Sequence, residues 1–231
     1  MEAIQKNTFY IVATPIGNMS DISQRAKHIL SNVDTILCED TRVTGKLLHH
    51  HDIKAEMKSY HAQSSDAKEE AIISKISSGT IFALVSDAGT PGISDPGSHL
   101  VARIRADLPD VRIISIPGAS ALTTAISASG FFGNQFTFFG FLPHKKGRKT
   151  IFDEIENSTR MSVFYESPHR LMKTLLELKE RFGNKRKICA SKELTKLYEE
   201  SHCAGAGEVH DYFASHPDKV RGEFVIIVDK P

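Results

Sequence analysis

The chain has 231 residues, enough for one large domain or two small ones. Its 40% hydrophobic and 25% charged composition is that of an ordinary soluble protein with material for a true core. A formal net charge of +1 excludes a general positive field, so any nucleic-acid binding must rest on local basic patches. No apolar run approaches membrane-spanning length, and the polar start from Met1 to Asn7 lacks signal-peptide character, which together point to a cytoplasmic protein without a membrane partner. Cys38, Cys189 and Cys203 are widely spaced and form no CxxC or Cys/His ligand pattern, so reduced thiols and no metal are expected.

In chain order, Phe9-Tyr10-Ile11-Val12-Ala13 predicts a short strand broken at Thr14-Pro15, and a helix follows from about Asp21 with Ile22, Ala26, Ile29, Leu30 and Val33 at helical spacing. Thr35-Ile36-Leu37-Cys38 predicts a buried strand. Asp66 and Glu69 resemble a capping box for a helix that Gly79 ends. A strand over 80–85, a helix over 97–107 and a strand over 111–116 complete a βα rhythm, which argues for a mainly parallel sheet with helices on both faces. Pro117-Gly118 breaks the rhythm and divides an α/β domain over 1–117 from a second over 118–231.

In the second half, a helix over 119–129 leads to an aromatic strand at 136–141 and a basic loop, Pro143-His144-Lys145-Lys146-Gly147-Arg148-Lys149. A strand over 161–165 is followed by Ser167 as N-cap and Pro168 as first helical residue, with Leu171, Leu175, Leu178 and Phe182 on one stripe. Strands near 188–191, 198–203 and 223–228 have only one short helix, near 208–214, between the last two, so this sheet is expected to be mixed.

The most informative segment is 86–97, Ser-Asp-Ala-Gly-Thr-Pro-Gly-Ile-Ser-Asp-Pro-Gly, directly after an apolar strand. Glycine allows close backbone approach, and proline fixes φ. A firmly shaped loop at a strand's carboxyl end sits where open α/β sheets bind ligands. Polar groups follow most other strands too: residues 14–18, 39–42, 117–121, 166–169, 192–196 and 222–223. If the sheets are wound as expected, they converge on one rim, in a cleft between the halves, although each taken singly also reads as solvated charge or a helix cap.

No GxxxxGK[ST] is present and no GxGxxG follows the first strand, so nucleoside triphosphate and NAD readings lose their usual support. His49-His50-His51 point in different directions on a helix and suit solvated surface better than a metal. The 144–149 and 185–187 basic runs are candidates for an RNA-backbone clamp. Phe131, Phe132, Phe138 and Phe139 read as stacking candidates, with core packing the better reading for most of them, particularly Phe139 and Phe141.

Val12-Ala13-Thr14-Pro15-Ile16-Gly17-Asn18, Cys38-Glu39-Asp40-Thr41-Arg42, the 86–97 loop, Ile116-Pro117-Gly118-Ala119-Ser120-Ala121, Gly140-Phe141-Leu142-Pro143, Tyr165-Glu166-Ser167-Pro168-His169-Arg170 and Lys192-Glu193-Leu194-Thr195-Lys196 recur in order. Together they resemble the bacterial ribosomal RNA small subunit methyltransferase I family, which belongs to the tetrapyrrole methylase superfamily. The resemblance covers almost the whole chain. It implies a two-domain tetrapyrrole-methylase-like α/β fold with a mainly parallel first sheet and a mixed second one. It also implies S-adenosylmethionine in the cleft between them, a homodimer, and 2'-O-methylation of a cytidine in 16S rRNA of the small ribosomal subunit.

By position in those motifs, Asp87, Gly89 and Thr90 would meet the methionine and ribose of the cofactor, and Ser120 and Ala121 its carboxylate end or adenosine. Tyr165, Glu193, Leu194 and Glu223 would enclose the adenine, and Pro15, Ile16 and Gly17 would wall the transferred methyl. Many members of the family continue into a small helical extension beyond the motif at Gly222-Glu223, which bears on rRNA docking. The sulfonium already activates the methyl, so the protein must align a ribose hydroxyl and help remove its proton. Glu39, Asp40, Glu166 and His169 are candidates for base or orienter, and Lys192 for stabilising alkoxide or gripping phosphate. Arg42, Lys145, Lys146, Arg148, Lys149, Arg170 and Lys196 are candidates for RNA contact. Two other readings stay open: methylation of a tetrapyrrole or other small molecule, and a non-catalytic assembly factor that binds cofactor or RNA.

Overall fold

The computed structural model describes residues 4–61, 64–95 and 97–231, so the start of the amino terminus and Pro96 lie outside the described residues. The chain divides into two compact units, Met1–Ser120 and Ala121–Pro231.

The first unit is built on five parallel strands: β1 (Thr8–Val12), β2 (Thr35–Cys38), β3 (Glu56–Ser59), β4 (Phe82–Leu84) and β5 (Arg112–Ile116). They lie in the order β3-β2-β4-β1-β5. Central strands β2 and β4 are buried at every residue, as expected for a parallel sheet covered on both faces. Helices α1 (Gln24–Leu30) and α2 (Thr41–His50) cover one face through Ala26, Ile29, Leu30, Leu47 and Leu48. Helices α3 (Asp66–Ser77) and α4 (Gly97–Asp107) cover the other through Ile72, Ile73, Ile76, Leu100 and Ile104. Each such buried leucine or isoleucine side chain contributes roughly 1.5–3 kcal/mol.

Adjacent strands β1 and β4 send their chains to opposite faces, β1 toward α1 and β4 toward α4. That divergence is a topological switch point, and it opens a crevice at the strands' carboxyl ends.

The second unit holds β6 (Phe136–Phe141), β7 (Met161–Glu166), β8 (Lys187–Lys192), β9 (Glu200–Gly205) and β10 (Phe224–Val228), in the order β6-β7-β10-β8-β9. β6 and β7 are parallel while β10 runs antiparallel to β7 and β8, so the sheet is mixed. Helices α5 (Ala121–Ser129), α6 (Arg148–Asn157), α7 (Pro168–Phe182) and α8 (Ala206–Ser215) complete it. The Leu171, Leu175, Leu178 and Phe182 stripe of α7 packs with Phe152, Phe164, Ile226 and Phe213.

Several expectations need correction. The α3 cap is Ser65, whose side chain accepts from Lys68 N; Asp66 is already helical, and Glu69 turns inward to 4% exposure. Ser167 occupies the N-cap position of α7, but its hydroxyl makes no capping bond. β3 and α6 were not foreseen, and of α2 only the histidine run at its carboxyl end was read as helical. Phe141 is 60% exposed and not a core residue. Cys189 and Cys203 are not free thiols: antiparallel pairing of β8 with β9 sets them directly opposite, and their sulfurs are joined as a disulfide. Cys38 is free and buried. No helix is long and apolar enough to cross a membrane among the described residues.

Candidate active site

In the first unit, the parallel sheet delivers the segments after β1, β2, β4 and β5 to one rim. Two loops are locked together at the switch point. Thr14 N donates to Gly89 O at 2.9 Å and Gly89 N returns a bond to Thr14 O at 3.1 Å. The buried Thr14 hydroxyl donates to Ser86 O at 3.0 Å, and the buried Ser86 hydroxyl donates to Gly89 O at 3.0 Å. Gly89 has φ +86°, and a Cβ there would sit 3.3 Å from Ile16 Cγ2 and 3.6 Å from Ala119 O. Thr90 Oγ1 donates to that same Ala119 carbonyl at 3.1 Å. Pro15–Gly17, Gly89–Thr90 and Ala119 are therefore brought together. Asp95 fixes the remainder of the loop, accepting from Gly92 N at 2.7 Å and Gly97 N at 2.8 Å.

Acidic groups cluster beside this bridge. Asp87 is exposed and accepts from Asp40 N at 3.1 Å. Burial, reinforced by the Asp87 and Asp95 carboxylates, pushes the Glu39 carboxyl above its ordinary value. Asp40 behaves oppositely. It caps α2 by accepting from Arg42 N at 2.8 Å and pairs with the Arg42 guanidinium at 2.6 Å, which brings its carboxyl down to about 2. Thr14, Ser86 and Asp95 are the residues that sequence reasoning undervalued. Their signal was a hydroxyl or carboxylate at each shoulder of a Gly/Pro loop.

In the second unit, the carboxyl ends of β6, β7 and β8 share an edge with the start of β10. Tyr165 lies partly buried between Phe138 and Phe141, with ring centroids 5.0 and 5.3 Å away. Burial raises its phenol pKa, while a hydrogen bond from the Leu122 backbone N–H, in the first turn of α5, works the other way. Glu193 Oε1 accepts from Lys196 Nζ at 2.9 Å and from Glu223 N at 3.3 Å. Burial opposes ionisation of Glu193, but the Lys196 ammonium outweighs it and lowers the pKa. Ala121, Tyr165, Glu193 and Glu223 thus belong to one rim; Leu194 beside them is buried, and Ser120 closes the first unit.

Other candidates have structural partners. The Glu166 carboxylate is fully buried and accepts from Thr174 Oγ1 at 2.6 Å, Ser167 N at 2.8 Å and the Arg170 guanidinium at 2.7 Å. Arg170 also donates to Leu142 O, and buried Arg148 donates to Thr174 and Glu177, so these three charges tie the 142–148 loop to α7. Lys192 is buried and donates to Lys219 O at 3.0 Å. His169, Lys145, Lys146 and Lys149 are exposed. Arg186 is buried beneath four backbone carbonyls, so the 185–187 run, at the opposite end of β8, does not join the rim. The described residues contain no group of three or more side chains placed to hold a metal.

The family model for Tetrapyrrole (Corrin/Porphyrin) Methylases matches residues 8–208. The chain is 43% identical over 220 residues to ribosomal RNA small subunit methyltransferase I of Vibrio cholerae, covering 95% of this chain and 76% of that protein. Among solved structures it resembles cobalt precorrin-4 methyltransferase, a cobalamin biosynthetic enzyme, with TM-score 0.68 at 14% identity and coverage of 96% and 95%. It also resembles uroporphyrin-III C-methyl transferase from Thermus thermophilus complexed with S-adenosyl homocysteine, with TM-score 0.62, 14% identity and 96% coverage of both chains. With its switch-point loops in place and its sequence aligned along nearly its full length, the chain belongs to the tetrapyrrole (corrin/porphyrin) methylases and, among them, to the ribosomal RNA small subunit methyltransferase I family.

Proposed function

We propose that this protein uses S-adenosylmethionine to methylate the ribose 2'-oxygen of a cytidine in 16S rRNA of the small ribosomal subunit, acting in the cytoplasm as a homodimer. The observation that carries the reading is the Thr14–Gly89 bridge at the switch point, set in a chain whose relatives are named for rRNA methylation. The residues present fit the cofactor: the Thr14–Gly89 bridge holds a backbone wall at the switch point, and exposed Asp87 offers a carboxylate to hydroxyls or an ammonium. When bound, the cofactor supplies a methyl activated by a sulfonium.

In this reading Asp87, Gly89 and Thr90 hold the methionine and ribose portion, and Pro15, Ile16 and Gly17 line the methyl. Ser120, Ala121, Tyr165, Glu193, Leu194 and Glu223 serve the remainder. These residues would set the methyl in line with the ribose oxygen, and the hydroxyl proton would leave to a base. Glu39 is the favoured base, because its raised pKa suits proton acceptance better than that of Asp40, already paired with Arg42. Exposed His169 is the second candidate. Glu166 serves as an orienter through Arg170, and Lys192 stiffens the rim. Arg42, Lys145, Lys146, Lys149 and Lys196 supply the RNA contacts, with Arg148 and Arg170 shaping the basic loop.

Methyl-labelled S-adenosylmethionine tests this when offered with small ribosomal subunits, naked rRNA and a precorrin-like tetrapyrrole. Label on a cytidine ribose supports the proposal. Label on the tetrapyrrole replaces it with small-molecule methylation, and tight binding without transfer replaces it with an assembly factor.

A further inference from the structure

The hairpin loop joining β8 to β9 is more firmly built than a simple connection requires. Glu193 and Thr195 have φ of +49° and +66°, although neither is glycine and Thr195 is β-branched. The Thr195 hydroxyl is buried without a hydrogen-bond partner among the described residues. Thr195 N donates to Glu199 at 2.6 Å, and Lys196 is pinned between Glu193 at 2.9 Å and Glu223 at 3.4 Å. Strain of this sort persists where surrounding structure imposes it, and it clusters at ligand clamps. The tip held this way puts Leu197 and Tyr198 into solvent, 87% and 72% exposed.

The sheet gives that tip cationic neighbours. The loop after β6, with exposed Lys145 and Lys146, and the approach to β10, with exposed Arg221, lie at the same end of the sheet. β6 and β8 are separated by three strand spacings, roughly 14 Å. None of Lys145, Lys146 and Arg221 has an ion pair among the described residues, whereas the carboxylates of Glu193 and Glu223 are occupied by Lys196. An exposed aromatic at the same sheet end as unpaired cations is the composition that binds single-stranded nucleic acid, by stacking on a base and neutralising its phosphates. A protein partner would be served by the apolar pair but would leave those cations unmatched.

We propose that Tyr198, supported by Leu197, stacks on an unpaired base of the rRNA substrate, with Lys145, Lys146 and Arg221 holding phosphates of the same strand. This rests on the rRNA reading above and identifies Tyr198 as a residue that positions the substrate.

The test compares wild-type protein with Tyr198→Ala and Tyr198→Phe in methyl transfer to small ribosomal subunits. Tyr198→Ala is expected to raise KM for subunits about tenfold. Tyr198→Phe should restore it, because a phenyl ring still stacks. S-adenosylhomocysteine affinity, read by calorimetry, should match wild type in both. The chain has no tryptophan, so tyrosine emission is readable directly. A short unstructured oligoribonucleotide should quench it in the wild type and quench it less in Tyr198→Phe. Unchanged KM in Tyr198→Ala, a rise that Phe does not rescue, absent quenching in the wild type, or a dimer that Tyr198→Ala converts to monomer would each overturn the proposal. Wild-type protein that labels no rRNA overturns the underlying reading, and this one with it.

Discussion

Thr14 and Gly89, separated by most of the first unit's sequence, exchange backbone hydrogen bonds of 2.9 and 3.1 Å in both directions. The glycine's φ of +86° is what lets its backbone face Thr14 while Ile16 and Ala119 crowd its α-carbon. Gly89→Ala is expected to cost about 1–2 kcal/mol for the left-handed residue. It should weaken S-adenosylhomocysteine binding about tenfold. Calorimetry of binding alongside thermal unfolding checks both; undiminished affinity would remove the bridge from the cofactor site.

Glu166 is expected to act through structure. Glu166→Ala leaves the Arg170 and Arg148 guanidinium groups, 16% and 9% exposed, without their shared carboxylate. The expected cost is about 3–5 kcal/mol in urea unfolding. A variant of normal stability that has lost turnover would instead make Glu166 the base.

The pH behaviour of Glu39 and Asp40 should have opposite signs. Burial raises the Glu39 pKa, so the folded protein holds that proton more tightly than the unfolded chain and loses stability as pH rises through the range. Activity should therefore show an acid limb with an apparent pKa above the ordinary 4.5, and Glu39→Gln should abolish turnover while stabilising the fold at neutral pH. Asp40, lowered to about 2 from 3.8, contributes stability above 3.8 that is lost as pH falls through about 2. Asp40→Asn should flatten that acid loss; a carbon-13 carboxyl titration would read both groups.

A Cβ on Gly222 would lie 2.2 Å from Glu193 Oε1 and 2.3 Å from Cδ, at a φ of +80°. Gly222→Ala must displace Glu193 and free Lys196, with an expected loss of about 1–3 kcal/mol. Glu193→Ala in the same chain should recover part of it. Chemical denaturation of the single and double variants settles whether that packing holds the rim.

Replacing Lys145, Lys146 and Lys149 with alanine should lower rRNA affinity and reduce the slope of log affinity against log salt by about 0.7 for each phosphate no longer neutralised. An unchanged slope would take the basic loop out of the interface.

The strands with β-branched or aromatic runs and the Leu stripe of α7 were legible because burial on a parallel sheet or against a helix demands such patterns. Helix α2 was not, because Thr41, Val43, Thr44 and Gly45 are weak helix formers held by the Asp40 cap and by Leu47 and Leu48 beneath. Strand β3 reads Glu-Met-Lys-Ser and survives as a polar sheet edge. The site's loops were visible in advance because a parallel sheet must send its carboxyl ends to one side. Their internal bonds were not: Glu166 reads as a surface charge until the fold sets Arg170 and Thr174 around it. The Cys189–Cys203 pairing likewise depends on register, which spacing does not encode.

Strand β1 lies between β4 and β5, both made long after it. During synthesis the edge of β1 that faces β4 stays unmatched until the chain has passed residue 84, and the edge that faces β5 until it has passed residue 116. Pairing across such a sequence range is slow. The nascent first unit is therefore exposed to aggregation along one edge of β1 until its last strand arrives, and the β1–β4 side that carries the binding crevice is paired first.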